Sequence, residues 1–368
     1  MDQHWLVRET SPLGNIHPGR CPRGRPRPFA PSTNTSSPRA EPKDEKSSGA
    51  EGRGSRSHDL RTLVIVNPAA GTFRTRSGSG RHATARALCA RMGLDADVAV
   101  TERPGHAREL ALSARRSRAE LVLVWGGDGT INEVASALAF SPTPVAIVPG
   151  GSGNGLARGL GIPLDCDAAF AVAVNGRDQW IDAGELDGRL FFNVAGVGFD
   201  AKVAAAFNRG ARRGLPAYIW TSLLEAMRYR PARYQVSCCG DPSSASPPTV
   251  FFHQAPALLV AVANGAQYGS GARIAPDARF DDGRLNVVII EPRSVARALI
   301  ESRHLFDGTI ERMRGYTTRA VRDVTLTSDQ PMLAHVDGEP FQAGDSLTVR
   351  VHEQALVVRC FFFSEAVR

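Results

Sequence analysis

The chain has 368 residues, a net charge of +7 at neutral pH and 42% hydrophobic residues, which is the composition of an ordinary soluble protein with room for two domains. No apolar stretch reaches the roughly 18 uninterrupted residues that a membrane-spanning helix needs. The six cysteines form no Cys-x-x-Cys pair and the nine histidines form no metal-binding motif, which argues against a zinc site or a disulfide framework.

Arginine supplies almost all of the positive charge, because Lys43, Lys46 and Lys202 are the only lysines. A P-loop needs a Gly-Lys pair and a protein kinase needs a lysine on a strand, so neither class fits. The arginines are mixed with acids and no basic stripe carries interleaved aromatics, so nucleic acid is not an expected partner. Any phosphate site must therefore rely on backbone amides, arginine and a metal ion.

Residues 1–58 are dense in Pro, Ser, Gly and Arg and poor in aromatic and branched aliphatic residues. Such a composition cannot bury enough apolar area to offset the entropy of ordering, so we predict a disordered extension. A basic tether to a membrane or partner is the functional alternative. The N-terminus shows no apolar core of a secretory signal, so the expected location is the cytoplasm.

Residues 59–178 alternate between short apolar runs and helical patterns. Strands are predicted at 63–66, 97–101, 121–125 and 145–148, with helices at 82–92, 105–116, 130–138 and 167–174. This succession predicts an α/β domain with an open parallel sheet and helices on both faces. Ligands of such sheets lie beyond the carboxyl ends of the strands, where glycine-rich loops follow Val66, Trp125 and Val148.

The loop Gly126-Gly127-Asp128-Gly129-Thr130 directly follows one of these strands. Its glycines allow a ligand to approach the main chain. Thr130 and Glu133 fit a capping box, which predicts a helix that starts at Thr130. The unpaired amides and positive end of that helix would favour an anion. The stretch therefore predicts a phosphate site, in which Asp128 is more than a turn residue and Glu133 is a cap.

Residues 179–368 have a different pattern of hydrophobic and turn residues. A helical segment at 203–229 is followed by many short strand patterns separated by turns, which predicts a β-sandwich-like second domain. We expect the end of this domain to pack back on the first.

Three motifs together resemble the diacylglycerol kinase catalytic family, which includes soluble bacterial lipid kinases, sphingosine kinases and ceramide kinases. They are Asn67-Pro68 with Gly71, the stretch Gly126–Glu133, and Pro149-Gly150-Gly151-Ser152-Gly153-Asn154. The resemblance extends from about residue 60 to 363. It implies an α/β domain like those of NAD kinase and phosphofructokinase, and an ATP-dependent lipid kinase that acts on diacylglycerol or a related lipid.

The resemblance also implies site residues. The expected ATP contacts are Asn67, Thr101, Gly126, Gly127, Asp128, Gly129, Thr130 and Ser152. A structural Mg²⁺ would be held by the Asp282 carboxylate and the main-chain carbonyls of Arg279 and Arg284. From the residues alone, Asp282-Gly283 before a strand is typical of a hairpin turn.

The segment His335-Val336-Asp337-Gly338-Glu339 completes the resemblance. Asp337-Gly338 predicts a tight turn with Glu339 exposed on it. By resemblance, Glu339 is the proton acceptor for the lipid hydroxyl and Asp128 is the second catalytic carboxylate. A positioned carboxylate contributes about 10² to 10⁴-fold as a general base.

Two positions depart from the family pattern. Arg74 and Arg76 occupy a loop that usually carries lysine, and Gly155 stands where soluble diacylglycerol kinases typically have aspartate. The Ser152-Gly153-Asn154 form is similar to that of sphingosine kinases, so the acceptor lipid stays open. Alternative functions are an NAD kinase-like enzyme and a non-catalytic lipid-binding regulator with the same fold.

Residues 202–233 carry seven basic residues and one acid, with apolar residues between them. Such a segment either attracts anionic headgroups or is a solvated helix face over the core. The expected partner is a lipid substrate at a membrane surface, to which the protein would bind peripherally. A homodimer is a possible assembly.

Overall fold

The structure, a computed structural model, describes residues 62–71, 79–209, 215–239 and 249–361. The predicted extension 1–58, the loop arginines Arg74 and Arg76, and Arg212 and Arg213 of the basic segment lie outside these residues. The α/β part contains β1 (Thr62–Val66), α1 (Ser79–Met92), β2 (Asp97–Val100), α2 (His106–Arg116), β3 (Leu121–Gly126), α3 (Asp128–Leu138), β4 (Val145–Pro149), α4 (Gly155–Gly159) and α5 (Cys166–Asn175).

The remaining elements are mostly strands. They are β5 (Arg177–Leu186), β6 (Arg189–Phe191), β7 (Val194–Gly198), α6 (Phe199–Arg209), α7 (Leu215–Arg228), β8 (Ala232–Cys239), β9 (Thr249–Ala257), β10 (Leu259–Ala263), β11 (Gln267–Gly269), β12 (Ala272–Arg273), β13 (Leu285–Ile290), α8 (Val295–Glu301), 3-10 helices at Ser302–Leu305 and Ile310–Arg312, β14 (Tyr316–Val321), β15 (Asp323–Ser328), β16 (Leu333–Val336), β17 (Glu339–Gln342) and β18 (Ser346–Cys360).

Four parallel strands in the order β2-β1-β3-β4 form one part of a ten-stranded sheet, which continues through β18, β15, β8 and β9. Every residue of β1, β3 and β4 is buried, because helices cover both faces of a parallel sheet and leave no polar side to the strands. The carboxyl ends of these strands lie at one edge, where the loops after Val66, Gly126 and Pro149 follow. The predicted α/β domain with an open parallel sheet is confirmed.

One long strand joins the two parts of the chain. The end of β18 pairs in parallel with β4 at Val358 and Arg359, and its first half pairs antiparallel with β15. The sequence pattern predicts two strands here, at 346–351 and 355–361. The structure shows one strand with a register shift between His352 and Leu356, so this prediction of separate strands was wrong. The apparent break is an irregularity within a continuous strand.

The second part is the predicted β-sandwich-like domain. Its antiparallel sheet has the order β14-β13-β10-β7-β16-β17. Apolar side chains of this sheet meet those of β8, β15 and β18 in one core, which includes Val236, Val260, Val287, Val324 and Val349. Strands β9 and β14 were missed by the sequence pattern, since polar residues interrupt both. Within the described parts of the chain, no helix is both long and apolar enough to span a bilayer.

Candidate active site

Three glycine-bearing loops pack against each other at the carboxyl edge of the parallel sheet. Gly71 has φ +74°, and a Cβ at this position would overlap the carbonyl oxygen of Gly150. A Cβ on Gly151 would lie 2.7 Å from the Cα of Gly127. A Cβ on Gly126 would lie equally close to the side chain of Thr130. These glycines therefore serve the contact between loops, in addition to the ligand access expected from the sequence.

The helix after the central loop begins earlier than predicted. Helix α3 starts at Asp128, with extended Gly127 as its N-cap and no side-chain cap. The predicted capping box of Thr130 and Glu133 was wrong. Glu133 instead accepts a 2.9 Å hydrogen bond from the amide of Gly105, which precedes α2. The first amides of α3 thus lack a capping side chain from their own helix, which leaves the positive end of α3 open toward an anion.

The predicted nucleotide contacts lie together at this edge. Asn67 Nδ2 donates to Thr130 Oγ1 at 2.7 Å, which ties the loop after β1 to the first turn of α3. Thr101 is buried after β2, and its amide donates to the carbonyl of Val66 at 2.9 Å. Ser152 lies in the loop after β4, where its carbonyl accepts from Ser270 Oγ at 3.1 Å. The loops of four neighbouring strands therefore surround the start of α3.

The carboxylate of Asp128 connects two of these loops. Asp128 Oδ1 accepts a 2.7 Å hydrogen bond from the amide of Gly155, and the amides of Asn154 and Leu156 contribute as well. Asp128 thereby caps α4 rather than its own helix. The pKa of Asp128 is raised to about 6, first by burial and then by the nearby Asp337 carboxylate, while the three amides lower it.

The structure explains why residue 155 is glycine in this chain. A Cβ on Gly155 would overlap both Asn193 Nδ2 and the backbone carbonyl of Tyr268. Asn193 Nδ2 is held there by a 2.8 Å hydrogen bond to the carbonyl of Gln267. The space that a side chain at position 155 would take is thus filled by an amide group and by main chain.

Gly155→Asp is expected to destabilise the fold by about 1–3 kcal/mol, because the backbone carbonyl of Tyr268 cannot give way to the new side chain. Guanidinium unfolding measures the change. Gly344→Asp is the matched control, since Gly344 is exposed with its nearest neighbour atoms 3.9 Å from a Cβ. Equal unfolding free energies for the two variants would contradict the explanation.

Glu339 reaches the central loop from the second domain. A Cβ on Gly129 would lie 2.7 Å from Glu339 Oε1, so the carboxylate lies against the first turn of α3. Glu339 is exposed at the start of β17, directly after the turn Asp337-Gly338, in which both residues have positive φ. The predicted turn with an exposed Glu339 is confirmed. A solvent-accessible carboxylate is thus placed beside the loop that is predicted to bind phosphate.

Asp337 holds this turn in position. Its Oδ1 accepts from the amides of Asn193 and Val194 at 2.9 and 3.1 Å, and its Oδ2 accepts from the amide of Phe192 and from Asn132 Nδ2 at 2.9 and 2.8 Å. Burial raises the pKa of the Asp337 carboxyl, and these donors lower it. Asn132 belongs to α3, so one carboxylate joins the turn before Glu339 to the helix that Glu339 contacts. The sequence pattern did not assign this role to Asp337.

A polar cluster of Asp200, Tyr268 and His335 lies beside β16, the strand that leads into this turn. Asp200 Oδ2 accepts from Tyr268 Oη at 2.9 Å and contacts His335 Nε2 at 3.2 Å. The other ring nitrogen of His335 faces the amide of Gly338 at 3.4 Å. Side chains from β16, α6 and the hairpin strand β11 are thus linked by hydrogen bonds to the main chain of the turn.

Arg81 is a cation that the sequence pattern missed. It is buried, its Nη1 donates to the carbonyl of Asn67 at 2.8 Å, and its guanidinium lies 5.8 Å from the ring centre of Trp125. Its Nη2 is 3.8 Å from the Cβ position of Gly71. Burial lowers the pKa of Arg81, although the group stays cationic. Among many arginines no local signal singles it out, yet the structure places the Arg81 guanidinium at the loop after β1.

The three predicted magnesium ligands lie around Asp182 rather than among the loop residues. Asp182 accepts from the amide of Gly283 at 2.7 Å, and Asp282 accepts from the amide of Arg284 at 3.0 Å. Burial raises the pKa of Asp282, and the charges of Asp182 and Asp281 raise it further. Within the described residues, no three His, Cys, Asp or Glu side chains converge on a metal position. One carboxylate with neighbouring negative charge and main-chain carbonyls nevertheless fits Mg²⁺ chemistry.

Comparison with known proteins gives consistent matches. Residues 61–186 match the diacylglycerol kinase catalytic domain, and residues 193–360 match the YegS C-terminal NAD kinase β-sandwich-like domain. A probable lipid kinase, YegS-like, from Pseudomonas putida is 32% identical over 68% of this chain and 80% of its own length. Another from Klebsiella pneumoniae is 29% identical over 73% of this chain and 86% of its own length.

Solved structures share the fold. A diacylglycerol kinase structure from Bacillus anthracis has a TM-score of 0.59 and 18% identity, with 84% of this chain and 98% of that chain covered. Together the fold and the matches define a kinase. The chain belongs to the diacylglycerol kinase catalytic family, and its relatives there are YegS-like lipid kinases. The resemblance found in the sequence and the assignment as a kinase enzyme are confirmed.

Proposed function

We propose that the protein transfers the γ-phosphoryl group of ATP to a hydroxyl of diacylglycerol or a related lipid. The observation that carries the proposal is the position of Glu339. Its carboxylate comes from the second domain and lies against Gly129, in the first turn of the helix that follows the phosphate loop. An acceptor hydroxyl between this carboxylate and a phosphoryl group at the loop would be in line for transfer.

The nucleotide half of the proposed site is built from main chain. The amides at the start of α3 and the loops after β1 and β4 would bind the phosphates, with Asn67, Thr101 and Ser152 around them. The Arg81 guanidinium would supply the positive charge that a lysine supplies elsewhere. Asp128 fixes the loop after β4 relative to α3, so that the two phosphate-binding loops act as one rigid unit.

The acceptor half depends on Glu339. A lipid hydroxyl is a poor nucleophile, and the Glu339 carboxylate would accept its proton during the attack. Asp337 and Asn132 keep the carboxylate-bearing turn on α3, so a shift of the second domain would not separate base and phosphate. Relatives described as lipid kinases support a lipid acceptor for this chain as well.

Magnesium has two proposed places. Bound with ATP, it would neutralise charge on the transferred phosphoryl group. At the second place, Asp282 and the carbonyls of Arg279 and Arg284 would hold a structural ion, which relieves the repulsion among Asp282, Asp182 and Asp281. The proposed setting is the cytoplasmic face of a membrane, from which the enzyme takes its lipid, with a homodimer as the proposed assembly.

Arg81→Met is expected to raise the KM for ATP about 10- to 100-fold, because a buried cation beside the phosphate loops would be lost. Steady-state kinetics at varied ATP measures this. Arg86→Met, an exposed arginine of the same helix, is the control. Arg81→Lys keeps the charge and is expected to restore part of the affinity. A KM for Arg81→Met equal to that of the control would exclude Arg81 from nucleotide binding.

Incubation with γ-labelled ATP, Mg²⁺ and a panel of diacylglycerol, sphingoid and ceramide lipids tests the proposed function. Label is expected in one lipid class and is expected to be lost in Asp128→Asn and Glu339→Gln. NAD in a parallel reaction distinguishes the NAD kinase-like alternative. ATP binding without transfer to any lipid would favour the non-catalytic alternative, and undiminished labelling by both variants would refute the proposed site.

A further inference from the structure

Helix α8 (Val295–Glu301) is rich in apolar residues but buries none of them. Leu299 is 53% exposed and Ile300 is 69% exposed. The chain continues into the 3-10 helix Ser302–Leu305 and then reaches Phe306, which is 51% exposed. Surface helices normally turn their apolar side chains toward a core. Several large exposed apolar residues within one short segment, residues 295–306, instead indicate a surface that binds a protein, a membrane or a ligand.

Phe306 also lines an open groove of about 610 Å³. Its walls include Leu164, which is 44% exposed, and the arginines Arg158 and Arg273. Arg158 Nε donates to the carbonyl of Gly153 at 3.2 Å, so the groove adjoins the loop after β4. Phe306 belongs both to the exposed apolar run of residues 299–306 and to the groove. The two therefore form one surface next to the candidate active site.

The charges of this groove are not internally balanced. Among the residues that the structure describes, neither Arg158 nor Arg273 has a carboxylate within salt-bridge distance. The acid in the groove wall, Asp307, accepts from the amide and hydroxyl of Thr309 at 2.9 and 2.5 Å. Gln267 Oε1, also at the groove, is buried without a hydrogen-bond partner. The groove thus offers the two cations Arg158 and Arg273 to a ligand.

Charge decides between two occupants of this surface. In a symmetric dimer the same patch faces itself. Arg158 and Arg273, which have no carboxylate partner, would then approach the arginines of the second copy. An anionic bilayer instead presents phosphates to the arginines and acyl chains to the apolar residues.

We propose that Arg158, Arg273, Leu164, Ile300 and Phe306 form a docking surface for anionic phospholipid bilayers. The arginines contact lipid phosphates, and the apolar side chains enter the boundary between headgroups and acyl chains. The surface lies outside the basic segment 202–233 of the sequence. The proposal concerns attachment to the bilayer and goes beyond the proposed transfer reaction, which uses Glu339 and the phosphate loops.

Flotation of the full-length protein with phosphatidylcholine vesicles, with and without phosphatidylglycerol, tests the docking surface. Arg158→Gln with Arg273→Gln is expected to weaken binding to the anionic vesicles about 25-fold, at about fivefold per arginine. The exposed pair Arg86→Gln with Arg108→Gln removes the same charge elsewhere and is expected to bind nearly as the unaltered protein. Ile300→Ser with Phe306→Ser is expected to weaken binding, whereas Phe251→Ser with Phe361→Ser is not.

Three results would overturn the proposal. The first is undiminished vesicle binding by both surface variants, or a loss no greater than in their controls. The second is a dimer that Ile300→Ser with Phe306→Ser converts to monomers in sedimentation while vesicle binding persists. The third is thermal stabilisation by glycerol 3-phosphate that requires Arg158 and Arg273, with vesicle binding unaffected, which would indicate a site for a soluble anion.

A separate measurement distinguishes this proposal from the proposed function. Phosphorylation of a short-chain lipid dispersed in detergent is expected to be equal in the variant Ile300→Ser with Phe306→Ser and in the unaltered protein, because neither residue contacts the phosphate loops. That result supports docking as a function separate from transfer, and a loss of this activity counts against it. If the unaltered protein labels no lipid but its vesicle binding depends on the surface, the transfer proposal fails and the docking proposal stands.

Discussion

Glu339→Gln is expected to lower the turnover number for lipid phosphorylation by about 10² to 10⁴-fold. The amide keeps the shape and the hydrogen-bonding reach of the side chain beside Gly129 but cannot accept a proton. The KM for ATP is expected to change little, because the phosphate loops and Arg81 are untouched. Initial rates at saturating ATP and lipid give the turnover number, and the unfolding free energy establishes that the variant is folded.

Glu311→Gln is the control for this substitution, since Glu311 is an exposed glutamate in the second 3-10 helix. It is expected to retain full activity. If Glu339→Gln keeps a turnover number within a few-fold of the control, the carboxylate is not the proton acceptor. The acceptor hydroxyl would then have to transfer its proton to the phosphate itself.

Asp337→Ala is expected to lower the unfolding free energy by about 3–5 kcal/mol, because it removes a carboxylate that accepts four hydrogen bonds. Three backbone amides and Asn132 Nδ2 would lose their acceptor at once. Each buried donor left unpaired costs about 1–3 kcal/mol. Guanidinium denaturation measures the change. Activity is expected to fall as well, because the turn that carries Glu339 would no longer be fixed to α3.

Asp187→Ala provides a closely matched control. Asp187-Gly188 is also a two-residue turn in which both residues have positive φ, between β5 and β6, but it is exposed. The backbone strain of alanine at a positive φ is therefore common to both variants. The difference between their unfolding free energies isolates the contribution of the four hydrogen bonds that the Asp337 carboxylate accepts. A difference near zero would mean that water replaces the carboxylate at no cost.

The carboxylates of Asp337 and Glu339 have different roles at the junction of the two domains. The Asp337 carboxylate accepts four hydrogen bonds, so it fixes geometry. Glu339, two residues later, is exposed and faces the loop, so it is available for proton transfer. A two-residue spacing across the hairpin turn allows one side chain to anchor while the next reaches the substrate.

The sequence by itself determined the architecture and the family. Buried parallel strands such as Leu121–Trp125 are continuous apolar runs, and the glycines after them mark the loops, because hydrophobic pattern and turn chemistry act over a few neighbouring residues. The combination of the Gly126–Glu133 and Pro149–Asn154 motifs was enough to place the chain among lipid kinases. The tight turn before Glu339 was also predictable, since Asp-Gly favours positive φ.

Only the tertiary structure decided which side chains meet. Asp337 and Asn132 are 205 residues apart, Glu133 caps a neighbouring helix instead of its own, and Arg81 is selected from many arginines by burial against Trp125. At Gly155 the family pattern has a carboxylate, and only the packed structure shows that Asn193 and the Tyr268 carbonyl occupy the space of a side chain there. Local patterns fix where strands and helices form, whereas hydrogen-bond partners depend on distances that exist only after both domains have packed.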